Sequence, residues 1–393
     1  MRPLSQLLHG VPASATVAVA DRARALAAAG RDIIALAGGD PDFATPGPIV
    51  RAAVAALEDG QTHYPPSRGT PGLRRAIARK LNRENGIRVD PQTQVLVSPG
   101  GKFALLAVLA ALVNPGDEIL IFEPYWVSYP PMVTLAGGTP VTVPLEAARG
   151  FPITRQALES RISAKTKAIL LNTPNNPTGR VLTADEARAV CRAALDHDLY
   201  VIADEVYEAL IFEGRHISVG SLDGMAERTV TVNAHSKTYA MTGWRLGWAA
   251  GPRPIIDLAA KFQSQTVTSA ASFTMAAGEA AFSASGEAVA RMRAAYQARR
   301  DFMVAALNAI PGVACDSPQG AFYLFVRFPG LETGDSLRMA EILLEQADIA
   351  ATPGIAFGRA GEGHVRFSIA TALPDLQRAV KRIENLMKRR HHV

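Results

Sequence analysis

Asn233-Ala-His-Ser-Lys-Thr-Tyr-Ala-Met-Thr-Gly-Trp-Arg245 is the most informative stretch of this 393-residue sequence. The β-rich run Thr229 to Asn233 predicts a strand, so Lys237 follows directly after a strand end. A lysine in a pocket there can form a Schiff base, and the guanidinium of Arg245 can bind a phosphate with two hydrogen bonds. An isolated lysine and arginine are more often surface residues, so this hypothesis depends on the rest of the chain.

Short β-rich runs alternate with helical stretches on both sides of this segment. The alternation predicts an α/β fold in which helices cover a mostly parallel sheet. Thr183 and Glu186 form a capping-box pattern, which opens a helix to about Asp196 that is long enough to cross between strands. The predicted strands are Gln94–Ser98, Glu118–Phe122, Lys167–Asn172, Tyr200–Ala203, Thr229–Asn233 and Leu246–Ala250.

A second, smaller unit is predicted after about residue 285, where the pattern changes. A long amphipathic helix passes through Arg291, Tyr296 and Phe302, and a strand follows around residues 321–327. A late helix begins at about Asp375. These elements predict an α+β unit beside the α/β one.

Three further segments supply chemistry at predicted strand ends, where ligand sites of such sheets gather. In Ser98-Pro-Gly-Gly-Lys102 the glycines let backbone amides approach an anion at a helix N-terminus. In Asn172-Thr-Pro-Asn-Asn-Pro-Thr-Gly179 the prolines fix a turn that can hold Asn176 against a polar ring substituent. In Ala203-Asp-Glu-Val-Tyr207 the carboxylate of Asp204 can pair with a protonated pyridine nitrogen.

Composition argues against several other classes of protein. The 41 basic and 36 acidic residues leave a formal net charge of +5, without the clustered basic face that a nucleic-acid partner requires. Cys191 and Cys315 match no metal-binding spacing, so no metal site is expected. Two cysteines so far apart in sequence also suggest reduced thiols and a cytoplasmic location. The longest apolar run, Phe103 to Val113, is too short to span a bilayer, so no membrane partner is expected.

In this order, the four segments resemble those of the class I/II pyridoxal-phosphate-dependent aminotransferases of fold type I. The sequence is most similar to the bacterial aspartate and aspartate/prephenate aminotransferase group, over almost the whole chain. Four further segments fall where that family places its other landmarks: Leu36-Ala-Gly-Gly-Asp-Pro-Asp-Phe43, Tyr64-Pro-Pro-Ser-Arg-Gly69, Pro124-Tyr-Trp126 and His364-Val-Arg-Phe-Ser368.

The resemblance implies a large cofactor domain over residues 45–285, with a mostly parallel seven-stranded sheet. It also implies a small α+β domain formed by residues 1–44 and 286–393. The expected enzyme is a transaminase (EC 2.6.1.-) that moves the amino group of an L-amino acid to a 2-oxo acid in ping-pong half reactions. Aspartate or glutamate is the expected donor, with aromatic amino acids as further candidates.

The resemblance also assigns roles around the cofactor, pyridoxal 5'-phosphate (PLP). Lys237 would carry it as an imine and move the proton during catalysis, and Asp204 would keep the pyridine nitrogen protonated. Tyr207 and Asn176 would bind the ring hydroxyl, and Trp126 would stack on the ring. The phosphate would be held by the backbone amides of Gly101 and Lys102, by Ser236 and Arg245 and, from the neighbouring subunit of a homodimer, by Tyr64.

The substrate carboxylate would be bound by Arg366 with help from the Gly39 amide, Trp126 and Asn176. In this subgroup, Lys102 with hydroxyls of Ser14 and Thr16 would receive a distal carboxylate. Two departures from the family pattern concern the cofactor and the substrate. Ala234 lacks the hydroxyl often found three residues before the lysine, and residues 263–273 offer no counterpart of the distal-carboxylate arginine.

Two alternatives share parts of this pattern. A PLP-dependent carbon–sulfur lyase has the same lysine, aspartate and arginine framework and differs in side-chain specificity. A non-catalytic ligand-binding regulator of the same fold would carry an added DNA-binding domain, for which the sequence leaves no room because family-like segments begin almost at residue 1.

Overall fold

A computed structural model of the chain describes residues 4–11, 15–331 and 333–391. Ser14 lies outside the described residues, and of Thr16 only the backbone is described, within a helix. The expected hydroxyl contacts of these two residues therefore stay predictions.

Strands and helices alternate along the described chain. The strands are β1 Ile34–Ala35, β2 Val95–Ser98, β3 Glu118–Glu123, β4 Thr139–Pro144, β5 Thr166–Asn172, β6 Tyr200–Asp204, β7 Thr229–Ala234, β8 Gly247–Ala250, β9 Ala314–Cys315, β10 Tyr323–Arg327, β11 Ile349–Ala350, β12 Thr352–Pro353 and β13 His364–Ser368. The helices are α1 Gln6–His9, α2 Ala15–Ala28, α3 Gly47–Glu58, α4 Pro71–Lys80, α5 Gly101–Leu112, α6 Tyr129–Leu135, α7 Arg155–Glu159, α8 Ala184–Asp196, α9 His235–Thr238, α10 Arg253–Thr266, α11 Ser272–Ala284, α12 Gly286–Asn308, α13 Ser336–Ala347 and α14 Leu373–His391.

The larger sheet has the spatial order β2-β8-β7-β6-β5-β3-β4 within the described residues. β8 runs antiparallel to both of its neighbours, and the other pairs are parallel. Every residue of β2, β7 and β8 is buried, so this part of the sheet is covered on both faces, as expected of a sheet with helices packed on each side. The predicted α/β fold with a mostly parallel seven-stranded sheet is thereby confirmed.

The carboxyl ends of β5, β6 and β7 lie side by side, which brings together segments that are distant in sequence. Asn172 pairs in register with Asp204, and β7 runs parallel to β6 and ends at Ala234. The crossover between β5 and β6 is α8, which begins with the predicted capping box: the side chains of Thr183 and Glu186 each bond the other's backbone N–H. This topology places Asp204 and Lys237 at the same edge of the sheet.

A smaller antiparallel sheet forms from the last third of the described chain, in the order β12-β13-β10-β9. The long helix α12 and the last helix α14 contribute to its core through residues such as Met303 and Leu386. The amino-terminal strand β1 pairs in parallel with β11, so the two chain ends are joined. The division into domains at residues 45 and 285 stays a prediction.

Candidate active site

A cavity of about 380 Å³ lies at the carboxyl ends of the parallel strands, between the larger sheet and the smaller one. Its volume falls in the range of pockets for small molecules. The predicted site residues that line it are Gly39, Gly101, Lys102, Trp126, Asn176, Asp204, Tyr207, Ser236, Lys237, Arg245 and Arg366.

Lys237 lies in α9, the short helix that follows β7, and its side chain reaches into the cavity. The ammonium donates a hydrogen bond to the backbone oxygen of Gly39 from the amino-terminal segment. Burial lowers the pKa of Lys237 to about 8, because desolvation disfavours the charged form. A lysine in this state is partly neutral near pH 7 to 8 and can act as a nucleophile and a base.

Asp204 ends β6 and is 5% exposed. Its carboxylate accepts hydrogen bonds from the Tyr129 hydroxyl at 2.6 Å and the Val206 backbone N–H at 3.2 Å. Burial raises the pKa of Asp204 to about 6, against the effect of these donors. A buried carboxylate without a full cationic partner favours a ligand that brings a positive charge.

The start of α5 forms an anion-binding corner of the cavity. Gly100 has a left-handed φ of 88°, and a Cβ on it would run into the guanidinium of Arg245, so both the backbone and the close approach require glycine. Arg245 is anchored by a hydrogen bond of 2.8 Å from Nη1 to the Thr242 backbone oxygen. Gly101, the first residue of α5, and Ser236 complete this corner, which suits a phosphate at a helix N-terminus.

Arg366 projects into the cavity from β13 and is 3% exposed. Its Nη1 donates to Asn176 Oδ1 at 2.9 Å, and its Nη2 donates to the Ala37 backbone oxygen at 2.6 Å. Among the described residues, Arg366 Nε has no hydrogen-bond partner although it is buried. A buried guanidinium without a carboxylate partner favours an anionic ligand.

Lys102 and Trp126 face each other across the cavity wall. The Lys102 Nζ atom lies 4.9 Å from the centroid of the Trp126 ring, which is a cation–π distance. Burial lowers the pKa of Lys102, and the charge of Arg245 lowers it further. Lys102 also lines the cavity, so its side chain is within reach of an acidic group of a ligand.

Tyr64 does not line the cavity. It is 87% exposed, and the exposed apolar residues Val50, Val54 and Leu57 of α3 precede it in sequence. The expected contact of Tyr64 with a neighbouring subunit stays a prediction.

Sequence reasoning missed two aromatic residues of the cavity, Tyr129 and Tyr323. Tyr129 bonds Asp204, and the Tyr323 hydroxyl lies 2.8 Å from that of Tyr207. Each contact joins residues that are far apart in sequence, so no local signal marks them. An aromatic residue within an apolar strand or helix is most often a core residue.

A buried polar cluster lies behind β6 and β7, outside the cavity. Glu205, Glu208 and His216 place three potential ligand atoms within 4.8 Å of one another. The Lys80 ammonium forms an ion pair with Glu208 and donates to Asn85 Oδ1 at 2.6 Å, and His216 Nε2 lies 2.9 Å from a Glu205 carboxylate oxygen. Lys80 and His216 give these carboxylates positive partners within the chain, and the expected absence of a metal stays a prediction.

Similarity to known proteins shows the family of the chain. A model of the family described as aminotransferase class I and II matches residues 31–383. The chain belongs to this family. The aminotransferase is 41% identical to the aspartate aminotransferase of Musicola paradisiaca, a match that covers 98% of this chain and 96% of the relative. It is 42% identical to a probable aspartate/prephenate aminotransferase of Thermus aquaticus, over 99% of this chain and all of the relative.

The structure is similar to that of the Thermus thermophilus aspartate aminotransferase with maleate. The TM-score is 0.94 at 42% identity, and the match covers 98% of this chain and 100% of that one. The predicted class I/II, fold-type-I family and transamination are thereby confirmed, and the lyase and regulator alternatives are not favoured. This family uses pyridoxal phosphate and acts on amino and 2-oxo acids. In the described part of the aminotransferase, no helix is both long and apolar enough to cross a membrane.

Proposed function

We propose that this aminotransferase binds PLP at Lys237 and exchanges the amino group of aspartate or glutamate with a 2-oxo acid. The observation that carries the proposal is the convergence of Lys237, Asp204, Arg245 and Arg366 on one cavity of about 380 Å³. These four side chains match an aldehyde, a cationic ring nitrogen, a phosphate and a carboxylate, respectively.

The residues of the cavity fit PLP group by group. The partly neutral amine of Lys237 suits the aldehyde, and the buried carboxylate of Asp204 suits a protonated pyridine nitrogen. Glycine at position 100 leaves room for the Arg245 guanidinium at the phosphate corner. The remaining contacts would come from Trp126 on the ring face, from Tyr207 and Asn176 at the ring hydroxyl, and from Ser236 and the backbone amides of Gly101 and Lys102 at the phosphate.

Bound PLP supplies an electron sink for the carbon that carries the substrate amino group. The chain's own residues then orient the substrate and move its proton. Arg366 would hold the α-carboxylate, with the Gly39 amide beside it, which fixes the α-carbon relative to Lys237. With a pKa lowered to about 8, the free amine of Lys237 could accept the proton of the substrate α-carbon at neutral pH and hold it for return.

Transamination is tested by separating the two half reactions. Protein loaded with PLP is mixed with aspartate without any 2-oxo acid, and the absorbance of the cofactor is followed together with the products. We expect one equivalent of 2-oxo acid per site, and a second half reaction only after an acceptor is added. Continuous release of ammonia and pyruvate from amino acids without an acceptor would instead indicate a lyase.

The acidic substrate class rests on Lys102. Its ammonium lies over Trp126 at the ligand space, and a lysine on a flexible stem can approach an acidic side chain and withdraw from an apolar one. The hydroxyls of Ser14 and Thr16 are proposed to assist. Maleate, the molecule named with the Thermus thermophilus structure, is itself a dicarboxylate.

With aspartate or glutamate as donor, we expect Lys102→Met to lose about 1.5 to 3 kcal/mol of transition-state stabilisation, the range for a charged hydrogen bond. This corresponds to roughly 13- to 160-fold in kcat/KM. An aromatic donor serves as the internal control and should change much less, because methionine keeps an apolar stem against Trp126. Equal losses for aspartate and the aromatic donor would show that Lys102 does not read the distal carboxylate.

We also propose a homodimer in which Tyr64 of one subunit reaches the phosphate bound in the other. Its 87% exposure and the apolar residues exposed on α3 support a partner at this surface.

The reduced state expected of Cys191 and Cys315, both buried and unpaired, supports a cytoplasmic location.

Shared sites predict complementation between two impaired variants. Tyr64→Phe and Lys237→Ala homodimers should each be impaired, whereas refolded heterodimers should regain activity at one site formed by the intact Lys237 and the intact Tyr64. Activity is measured against the fraction of heterodimer, which differently tagged subunits report. Confirmed subunit exchange without any recovery would contradict shared sites.

A further inference from the structure

Tyr323 contacts several of the proposed site residues but has no assigned role. It begins β10, is 1% exposed and lines the cavity beside Lys237. Its neighbours are Tyr207 and two groups proposed to bind the substrate carboxylate, Gly39 and Arg366. A side chain in this place touches both the cofactor side and the substrate side of the cavity.

The Tyr323 hydroxyl has a tightly fixed position. It lies 2.8 Å from the Tyr207 hydroxyl, and a Cβ on Gly39 would come within 2.7 Å of it. The two phenol rings meet edge to face with centroids 5.7 Å apart. Because both residues are buried, their hydroxyls have few other hydrogen-bond partners. In the contact between them, one hydroxyl must donate and the other must accept.

Arg366 lies against one of the two phenol rings, that of Tyr323. Its guanidinium carbon lies 4.4 Å from the centroid of the Tyr323 ring. Burial raises the pKa of Tyr323, but the charge of Arg366 offsets part of this rise. Burial raises the pKa of Tyr207 well above its usual value, the neighbouring Tyr323 adds to this rise, and Arg366 offsets part of it. The cation on its ring makes the Tyr323 phenol the better donor, which leaves the Tyr207 proton free for another acceptor.

We propose that Tyr323 is a positioning residue that donates to the Tyr207 oxygen and thereby directs the Tyr207 proton toward the ring hydroxyl of PLP. This proposal rests on the proposed function, because it takes the Tyr207 hydroxyl to face the cofactor. It adds a residue of the smaller sheet to the set that holds the ring.

Tyr323→Phe isolates the hydroxyl, because the ring that packs under Arg366 is kept. Without the Tyr323 hydroxyl, the Tyr207 hydroxyl can turn its proton away from the PLP ring oxygen. The ring oxygen then loses part of its hydrogen bond from Tyr207. We expect the apoenzyme to bind PLP about two- to tenfold more weakly, in line with one neutral hydrogen bond. Equilibrium dialysis measures this affinity without any turnover.

The absorbance of the PLP-loaded protein as a function of pH gives a second measurement. A donor to the ring oxygen of PLP stabilises its anionic form. When this donation weakens, the more negative ring oxygen holds the proton on the neighbouring imine nitrogen of Lys237 up to a higher pH. The midpoint of the titration should therefore rise in Tyr323→Phe. Tyr296→Phe is the matched control, because it removes a buried phenol from the same aromatic cluster at a residue that does not line the cavity. Neither measurement should change in this control.

A double variant distinguishes positioning from a general loss of packing. If Tyr323 acts through Tyr207, Tyr207→Phe/Tyr323→Phe should bind PLP as Tyr207→Phe does, because the relay is already broken. Additive losses, or an unchanged affinity and midpoint in Tyr323→Phe, would overturn the role of Tyr323 alone. Failure of the unaltered protein to bind PLP would contradict the proposed function itself.

Discussion

Replacing Lys237 by alanine is expected to abolish transamination, with a loss of about 10⁴-fold or more, and to remove the absorbance of lysine-bound cofactor. The reason is chemical: the amine both forms the covalent link to the cofactor and carries the proton. Lys237 is buried in the cavity with a pKa lowered to about 8, whereas Lys102, the other lysine of the described cavity lining, points over Trp126.

Lys165→Ala is a suitable control for this variant, since Lys165 is exposed in a turn away from the cavity. It should leave both turnover and absorbance unchanged. Circular dichroism checks that the Lys237 variant is folded. Turnover near the wild-type rate in folded Lys237→Ala, without any added amine, would rule out the assignment.

Asp204→Asn is expected to lower kcat/KM through a loss of about 3 to 5 kcal/mol of transition-state stabilisation, the usual cost of removing one partner of a buried ion pair. This corresponds to roughly 150- to 5000-fold. Asparagine keeps the size of aspartate and can still accept the hydrogen bond from Tyr129, so the change removes mainly the negative charge. Without it, a pyridine nitrogen in the cavity has no counter-charge and loses its proton.

The control for this variant is Asp223→Asn, which removes a carboxylate from the exposed surface. Steady-state kinetics with aspartate as donor gives kcat/KM for both variants, and dialysis gives their affinity for PLP. A loss of less than tenfold in Asp204→Asn would mean that the carboxylate does not hold the ring nitrogen protonated.

The predicted strands agree with the structure to within one residue at most ends, because each is a short apolar run bounded by turn residues. β4, Thr139–Pro144, was missed. Its sequence contains two prolines, and its residues are mostly only partly buried, as suits an edge strand. Short runs with such mixed burial lack the continuous apolar character that marked the central strands.

The cavity residues from strand ends were accessible from sequence because parallel topology brings such ends to one edge. Lys237 and Asp204 are of this kind. Tyr129 was not accessible in this way, since its hydroxyl meets Asp204 from a position 75 residues away. The ion pair of Lys80 with Glu208 likewise joins residues 128 positions apart. Only the folded chain reveals contacts of this type.

Borohydride reduction followed by peptide mass spectrometry tests the central claim most directly. The protein is incubated with PLP and reduced, which converts a reversible carbon–nitrogen double bond into a stable single bond, and the modified peptide is then identified. We predict one phosphopyridoxyl group per chain, on Lys237. A group found mainly on another lysine, such as Lys102, or no modification at saturating PLP, would contradict the account.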